Sequence, residues 1–454
     1  MSTSALNEIK SLVHKNDPYR EVPGNLRELQ LEAVRERFAE KRSQIKILDR
    51  RADEAGIDEI RTLSDVVPLL FTHTNYKSYP EAFIDNNQWS NMNLWLQTLT
   101  SKPVTGVDME GVKDADDWLE RLKAADHQLF ASSGTSGKCS FLDQTPEDVE
   151  LALKVYEKGF RGQWDPFVPN RDRTAFISFP PTGVHRLCGP NYHFFANIVS
   201  KPGAAHFISE EPLRATPGIR AGQLRRKLAA GTALPEEVAA FEKENAENGR
   251  KMQESLGLWM DKIYENRHEP LAFGVMWPQA FQIVQEMRAR GVKDGDIHPD
   301  TVLCMGGGIK GVKLPDDYKE QIFNFFGLPP EQYFNSYAMV EMTGLSPFRH
   351  DLNAYVLPPW IVPLILDKSA ETLLNPEDNE GVVEGRMALF DLLTDARWGG
   401  LISGDKVTVD FTPSDEFSTG LVRSVARYQD LEEGEDKLTC AGTIDSYVRG
   451  AIEL

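Results

Sequence analysis

The sequence predicts an α/β protein: a mixed, largely parallel sheet flanked by helices, preceded by a helical segment and followed by a smaller β-rich region. Three observations predict it. Over residues 4–60, Leu26, Leu29, Val34, Phe38, Ile45 and Leu48 recur at steps of three to five among many charges, which draws one apolar stripe along helices. From Leu129 onward, short apolar runs alternate with helical stretches, the rhythm of strands joined by crossover helices. Over residues 351–454, short alternating runs such as Val382–Leu389, Val407–Phe411 and Leu421–Val425 are bounded by Gly, Pro and Asp, which reads as β structure.

Taken in order, residues 1–64 form a helical N-terminal segment. Thr62-Leu63-Ser64-Asp65 reads as a cap before a short helix. Pro68–Phe71 leads into Thr72-His73-Thr74-Asn75-Tyr76-Lys77-Ser78-Tyr79-Pro80, a polar-aromatic stretch in which His73 reads as structural. The α/β core spans 65–350. Strands are expected at Leu129–Ser132, at Thr174–Phe179 and near 271–276, 301–305 and 333–337, with a helix over about 145–162. A charged helical insertion covers about 210–268. It opens on Leu234-Pro235-Glu236-Glu237, with proline and acids in a first turn, and Val238, Phe241, Met252, Leu256 and Trp259 make its apolar face. The β-rich subdomain then runs over 351–454.

At 454 residues the chain holds roughly two to four folding units. Its 41% hydrophobic and 26% charged residues describe a globular, enzyme-like protein. A net charge of −19 argues against nonspecific binding to nucleic acid or an anionic membrane, since both need a positive surface. No apolar run approaches the ~18 residues of a membrane span. The four cysteines, Cys139, Cys188, Cys304 and Cys440, lack metal-ligand spacing, and no signal peptide precedes them, so a cytoplasmic protein is expected.

Five stretches carry chemistry. Ser132-Ser133-Gly134-Thr135-Ser136-Gly137-Lys138 places hydroxyls and glycines in one turn, where side chains and backbone N–H groups can converge on phosphate oxygens. It is not a Walker loop. Gly306-Gly307-Gly308 follows the strand Val302-Leu303-Cys304 and lets backbone lie flat against a ligand. In Tyr337-Ala338-Met339-Val340-Glu341, the tyrosine can stack on a base and the glutamate can hold a Mg2+ ion that bridges phosphates. Ser403-Gly404-Asp405 sets an acid after a glycine at a strand edge, suited to two ribose hydroxyls. Gly442–Gly450 closes the series near the C-terminus.

The order of these stretches resembles the adenylate-forming superfamily of acyl-CoA synthetases, luciferases and adenylation domains. The family signature SSGTTGxPK is similar to Ser132–Ser140, YGxTE to Tyr337–Glu341, TGD to Ser403–Asp405, and the GRxDD hinge to Gly442–Ser446. The likeness runs from about residue 65 to the end. Gly306–Lys310 and Tyr337–Glu341 look most like the acyl-protein synthetase branch, with the phenylacetate–CoA ligase branch a near relative. The resemblance implies the large N-terminal domain of such an enzyme. It also implies that ATP and a carboxylic acid give an acyl-adenylate and pyrophosphate, after which a thiol of CoA, of a carrier-protein phosphopantetheine or of a protein cysteine takes the acyl group. Residues 132–137, with Thr135 and Lys138 as catalytic groups, would hold the β- and γ-phosphates. Glu341 would carry Mg2+, Tyr337 would stack on adenine, Asp405 would fix the ribose, and Gly306–Gly308 would lie between adenine and acyl carbonyl. His185, Phe273, Trp277 and Gly308 would line the acid pocket, and Asp445 would be the hinge.

The departures are specific. The family loop's Pro-Lys is Cys139-Ser140 here, and Lys138 stands two places early. Ala338 and Val340 replace a glycine and a threonine. Thr443 replaces the hinge arginine, for which Arg449 is the candidate substitute. Family members continue into a mobile C-terminal domain, whereas this sequence ends at Leu454, so that domain is expected to be absent. Acyl-protein synthetases use a cysteine near their C-terminus, but Cys440 matches no transferable motif and reads as structural. Trp277 favours a small or aromatic acid. Two alternatives stand beside the thiol ligase: an amide-forming acyl-adenylate ligase, and a non-catalytic acyl- or nucleotide-binding subunit of a complex. An acyl carrier protein or partner subunit is the macromolecular partner these readings imply.

Overall fold

A single chain crossing between two sheets sets this architecture. The computed structural model describes residues 4–131, 138–164, 171–306, 312–375, 380–412, 419–428 and 431. Helices α1 (Ala5–Leu12), α2 (Leu26–Lys41) and α3 (Lys46–Ala55) form where the apolar stripe lies. Leu26, Leu29, Val34, Phe38, Ile45 and Leu48 are all buried in one core. Gly56, with φ of 65°, ends α3 in the left-handed conformation that a Cβ disfavours. Charge adds to the packing: the buried Arg37 and Lys41 of α2 lie 2.9 and 3.1 Å from Asp395. Partial burial opposes it, but Lys102, Lys41 and Arg37 hold the Asp395 carboxyl well below the usual range.

Asp65 accepts from the Thr62 N–H at 2.8 Å and so fixes the start of a 3-10 turn at Leu63–Leu69. Strand β1 (Phe71–Thr72) follows, then a single 3-10 turn at Asn75–Lys77 and helices α4 (Glu81–Asp85), α5 (Trp89–Gln97) and α6 (Ala115–Lys123). Strands β2 (Phe130–Ala131) and β3 (Phe141–Leu142) pair antiparallel, with Ala131 opposite Phe141. The Ser/Thr/Gly stretch is therefore flanked by a hairpin ladder, not simply by a strand and a helix. Helix α7 (Pro146–Trp164) starts on a reciprocal cap in which Thr145 N–H donates to Asp148 and Asp148 N–H to the Thr145 hydroxyl, at 3.0 and 3.1 Å.

The parallel sheet is built from β4 (Arg173–Ile177), then, after the short helix α8 (Cys188–Asn191) and a π-helical turn at Tyr192–Val199, from β5 (Ser200–Phe207). Helices α9 (Thr216–Ala229) and α10 (Pro235–Asn266) form the charged insertion. Only the last turns of α10 are buried, through Trp259, Met260 and Ile263; Met252 is exposed, so the expected apolar face does not run the length of the helix. Strand β6 (Leu271–Met276), helix α11 (Trp277–Ala289), strand β7 (Val302–Gly306), helix α12 (Tyr318–Phe326) and strand β8 (Tyr333–Phe334) complete this layer. The order is β5-β4-β6-β7-β8 and every pair is parallel.

The chain then leaves this sheet. Strands β9 (Ser336–Tyr337), β10 (Ser346–Arg349), β11 (Ala354–Val356), β12 (Ile361–Leu366), β13 (Val382–Asp391), β14 (Gly400–Asp410) and β15 (Leu421–Arg427) form a second sheet, ordered β12-β13-β14-β15-β11-β10-β9. Its pairs are antiparallel except β1 with β14. The fold is thus all-parallel in one sheet and almost entirely antiparallel in the other, and the β-rich region expected over 351–454 is completed by β1, β9 and β10 from the preceding segment. No helix among the described residues is long and apolar enough to cross a membrane.

Asp391, the last residue of β13, is fully buried. Its two carboxylate oxygens accept from the N–H groups of Thr343 and Leu393 at 2.7 and 3.0 Å. An amide can accept through only one of those atoms. Asp391→Asn should therefore lower stability by about 1–3 kcal/mol, read as a lower urea midpoint with an unchanged slope.

Candidate active site

In a parallel sheet, ligands gather beyond the carboxyl ends of the strands. Those ends here carry Phe179 and His185 after β4, Trp277 after β6, Gly306 on β7 and Tyr337 just past β8. A Cβ built on Gly306 would meet no atom of the described residues within 4 Å. Ser132–Gly137 with Thr135, Gly307, Gly308, Cys440, Thr443, Asp445 and Arg449 lie outside the described residues.

Tyr337 and Asp405 meet directly. The tyrosine hydroxyl donates to a carboxylate oxygen of Asp405 at 2.9 Å. Asp405 is not at a strand edge, as expected from the sequence, but within β14 between β13 and β15. The register steps from Arg386 opposite Lys406 to Ala388 opposite Ile402, so Ser403-Gly404-Asp405 faces Met387 alone. The triplet is a bulge, the device that re-aims a side chain out of a regular ladder. It is fastened by Ser403 Oγ donating to the Met387 carbonyl at 2.8 Å, Asp405 N–H donating to Ser403 Oγ at 3.1 Å, and Arg386 donating to the Ser403 carbonyl at 3.1 Å. Burial raises the Asp405 carboxyl pKa, against the Tyr337 bond and the cations Arg427 and Arg386. Burial, then the Asp405 charge, pushes the Tyr337 hydroxyl well above the usual tyrosine range.

Glu341 stands on a stretch held by its backbone. Arg186 donates to the Val340 carbonyl at 2.7 Å and to the Thr343 hydroxyl at 2.9 Å, and Arg397 donates to the Glu341 carbonyl at 2.6 Å. Both guanidinium groups are buried. The Glu341 side chain keeps some exposure. Burial raises its pKa, opposed by its own backbone N–H and by Arg397, Arg186 and Lys77. Among the described residues no group of three or more His, Cys, Asp or Glu could hold a metal alone. One carboxylate fits Mg2+ that arrives with a triphosphate, because that ion takes one or two carboxylates and fills its shell with phosphate oxygens and water.

Other expected residues are placed differently. Lys138 turns onto Tyr79: its ammonium donates to the Tyr79 carbonyl and lies 4.6 Å from the ring centre. Phe273 is fully buried and stacks on Phe176 at 5.7 Å within the core beside α10–α12, so its surroundings are those of a core residue and not of a pocket wall. Trp277 is at a strand end, yet its ring packs edge-on against Tyr318 and Phe323 of α12 at 5.8 and 6.1 Å. His185 lies 5.5 Å from Phe179, and its Nδ1 accepts from the Leu187 N–H at 3.2 Å. Cys139 and Cys188 are buried and Cys304 is partly buried, and desolvation pushes their thiols up to about 11, 11 and 12, which removes thiolate near neutral pH.

Sequence reasoning missed Arg186, Arg397 and Lys77. The first stands beside the singled-out His185. The third lies in the polar-aromatic stretch 72–80, where attention went to His73. Arg397 precedes Trp398-Gly399-Gly400, whose glycines allow close packing: a Cβ on Gly399 would come 2.2 Å from the Asp391 carbonyl oxygen.

A carboxyl whose pKa is raised on folding favours the fold when protonated, and that contribution disappears as pH rises through the folded value. Glu341→Gln should therefore melt at a higher temperature than the parent at pH 7–8. The difference should shrink toward zero below about pH 4.3, the ordinary glutamate value. Paired thermal melts across pH measure it.

No family model matches the sequence, and no curated protein matches it. Solved structures do match in fold. A 2-hydroxyisobutyryl-CoA ligase, in an open conformation in complex with 2-HIB-AMP and CoA, aligns with a TM-score of 0.52 at 12% identity, over 94% of this chain and 84% of that one. The ligase in its thioesterification state with 2-HIB-AMP and CoA aligns at 0.52 and 12%, over 91% and 70%. In its postadenylation state with 2-HIB-AMP it aligns at 0.51 and 11%, again over 91% and 70%. At such identity the likeness is one of fold: this chain has the fold of that CoA ligase.

Proposed function

We propose that this chain uses ATP to activate a carboxylic acid as its acyl-adenylate, releases pyrophosphate, and passes the acyl group to a thiol. The observation that carries this reading is the Tyr337–Asp405 pair on its bulge, beside the backbone-clamped Glu341, in an acyl-CoA-ligase fold.

The chemistry assigns a task to each group. A carboxylate oxygen attacks the α-phosphorus, the bond to the bridging oxygen breaks, and pyrophosphate leaves with the electron pair. Two anions must approach in line, so the site has to supply alignment and positive potential. Asp405 accepts from the two ribose hydroxyls, while Tyr337 occupies one carboxylate oxygen and fixes its direction. The ring of Tyr337 borders the adenine. Glu341 would hold the Mg2+ that enters with ATP, which would supply positive charge at the phosphates, and residues 132–137 would hold the β- and γ-phosphates. A thiolate then attacks the acyl carbonyl and AMP departs. The high pKa values of Cys139, Cys188 and Cys304 favour an external thiol, from CoA or a carrier-protein pantetheine, over these three.

Exchange of labelled pyrophosphate into ATP, screened over short, aromatic and long-chain acids, tests the first half. At least one acid should support exchange, and Glu341→Ala should reduce it by about 10²–10³-fold. ATP binding without exchange for any acid would favour a non-catalytic nucleotide-binding subunit. Offering the adenylate to CoA, carrier protein and amines separately should give thioester; product from amines alone would mark an amide-forming ligase.

A further inference from the structure

Lys77 is a cation that the protein places with care and leaves uncommitted. It ends the 3-10 turn Asn75–Lys77, directly after β1 joins β14 four residues before Asp405. Its neighbours on both sides are held by hydrogen bonds. Asn75 accepts from the Thr72 N–H at 2.8 Å. Tyr76 is buried, its hydroxyl donates to the Trp398 carbonyl at 3.4 Å, and it touches Arg397, the residue that holds the Glu341 carbonyl. Ser78 donates to the Asn75 carbonyl at 2.7 Å and accepts from the Trp95 indole at 3.0 Å. Tyr79 donates to the Cys139 carbonyl at 3.0 Å, two residues after the last glycine of the Ser/Thr/Gly stretch.

Lys77 lies between those ties. It is half-buried; its backbone N–H donates to the Thr74 carbonyl at 3.2 Å, and its ammonium makes no hydrogen bond or ion pair among the described residues. Burial lowers its pKa, while the Glu341 carboxylate works the other way, which puts the two charges within reach of each other's fields. A partly desolvated ammonium without a bonded counter-ion is unfavourable, and an arriving anion removes that cost. The lysine that the sequence offered for this task, Lys138, is held on Tyr79.

We propose that Lys77 is a phosphate-binding residue whose ammonium contacts the β- or γ-phosphate oxygens of ATP, and the pyrophosphate formed from them. The assignment rests on the adenylation reading above for the identity of the anion. A flexible four-carbon stem with three rotatable donors suits a point contact on a phosphate that moves during the reaction.

The test is binding, read by calorimetry on the full chain with Mg–ATP, with AMP and with Mg–pyrophosphate. Lys77→Met should weaken Mg–ATP and Mg–pyrophosphate at least tenfold and leave AMP within twofold. Lys77→Arg, which keeps the charge, should recover most of the loss. Equal weakening of ATP and AMP, or unchanged ATP binding, would overturn the assignment. If Lys77→Met does not fold, Lys77→Gln and Lys77→Arg are compared by the rise in melting temperature that Mg–pyrophosphate gives. A larger rise for arginine supports the contact, and equal rises refute it. Should the parent bind Mg–ATP with the expected Lys77 dependence yet catalyse no exchange with any acid, the activity fails and the phosphate contact stands. Should the parent bind neither ATP nor pyrophosphate, both are wrong.

Discussion

Two buried guanidinium groups determine where this site is. Arg186 and Arg397 reach in from different parts of the chain and donate to the adjacent carbonyls of Val340 and Glu341. That stretch lies just beyond the point where the backbone crosses from the parallel to the antiparallel sheet, with β8 in one and β9 in the other. Carbonyls there have no strand partner to satisfy them, and an unsatisfied buried carbonyl is costly. Charge-assisted donors offset that cost and hold the backbone that carries Glu341. Bringing two like charges together is itself unfavourable. Asp391 answers it: it favours the charged form of both arginines and accepts the Thr343 and Leu393 N–H groups.

The local electrostatics run against the overall charge. The chain carries −19, yet Arg186, Arg397, Arg386, Arg427 and Lys77 surround the three acidic or phenolic groups of the site. Burial raises the pKa values of Tyr337, Glu341 and Asp405, and each carboxylate would be worse off without its cations. Such an arrangement spends stability on keeping ionised oxygens and positive charge in a sheltered place. That is the provision the proposed reaction between two anions would need.

Much of this was legible in the sequence because local chemistry decided it. The N-terminal stripe, the Thr62 cap, the helix from about residue 145 and the short apolar runs became the expected helices and strands, since period and capping act over a few residues. Ser403–Asp405 was recognised as a motif, but its location was not: an acid after a glycine looks the same at a strand edge and in a bulge, and only the register across β13 distinguishes them. Phe273 illustrates the complementary failure. Alternate residues of β6 face opposite layers, and whether Phe273 or Gly274 faces the ligand side depends on which helices cover each face. Gly274 approaches Phe195, where a Cβ would come within 2.6 Å of the ring, while Phe273 goes to the α10–α12 side. Arg186 and Arg397 were invisible for a related reason, because their partners are backbone carbonyls that carry no sequence signal.

That last point explains how the stretch tolerates its departures from the family pattern. A threonine is expected at position 340 and a valine stands there, so a side-chain hydroxyl is lost. Arg186 does not need it, because it binds the Val340 carbonyl and takes its hydroxyl from Thr343. Ala338 stands where a glycine is expected and is exposed, so its methyl group displaces nothing. A wall held by main-chain oxygens is insensitive to which side chains those residues carry. Its sensitive positions are the groups that reach it, namely the two arginines, the aspartate that balances them, and Thr343.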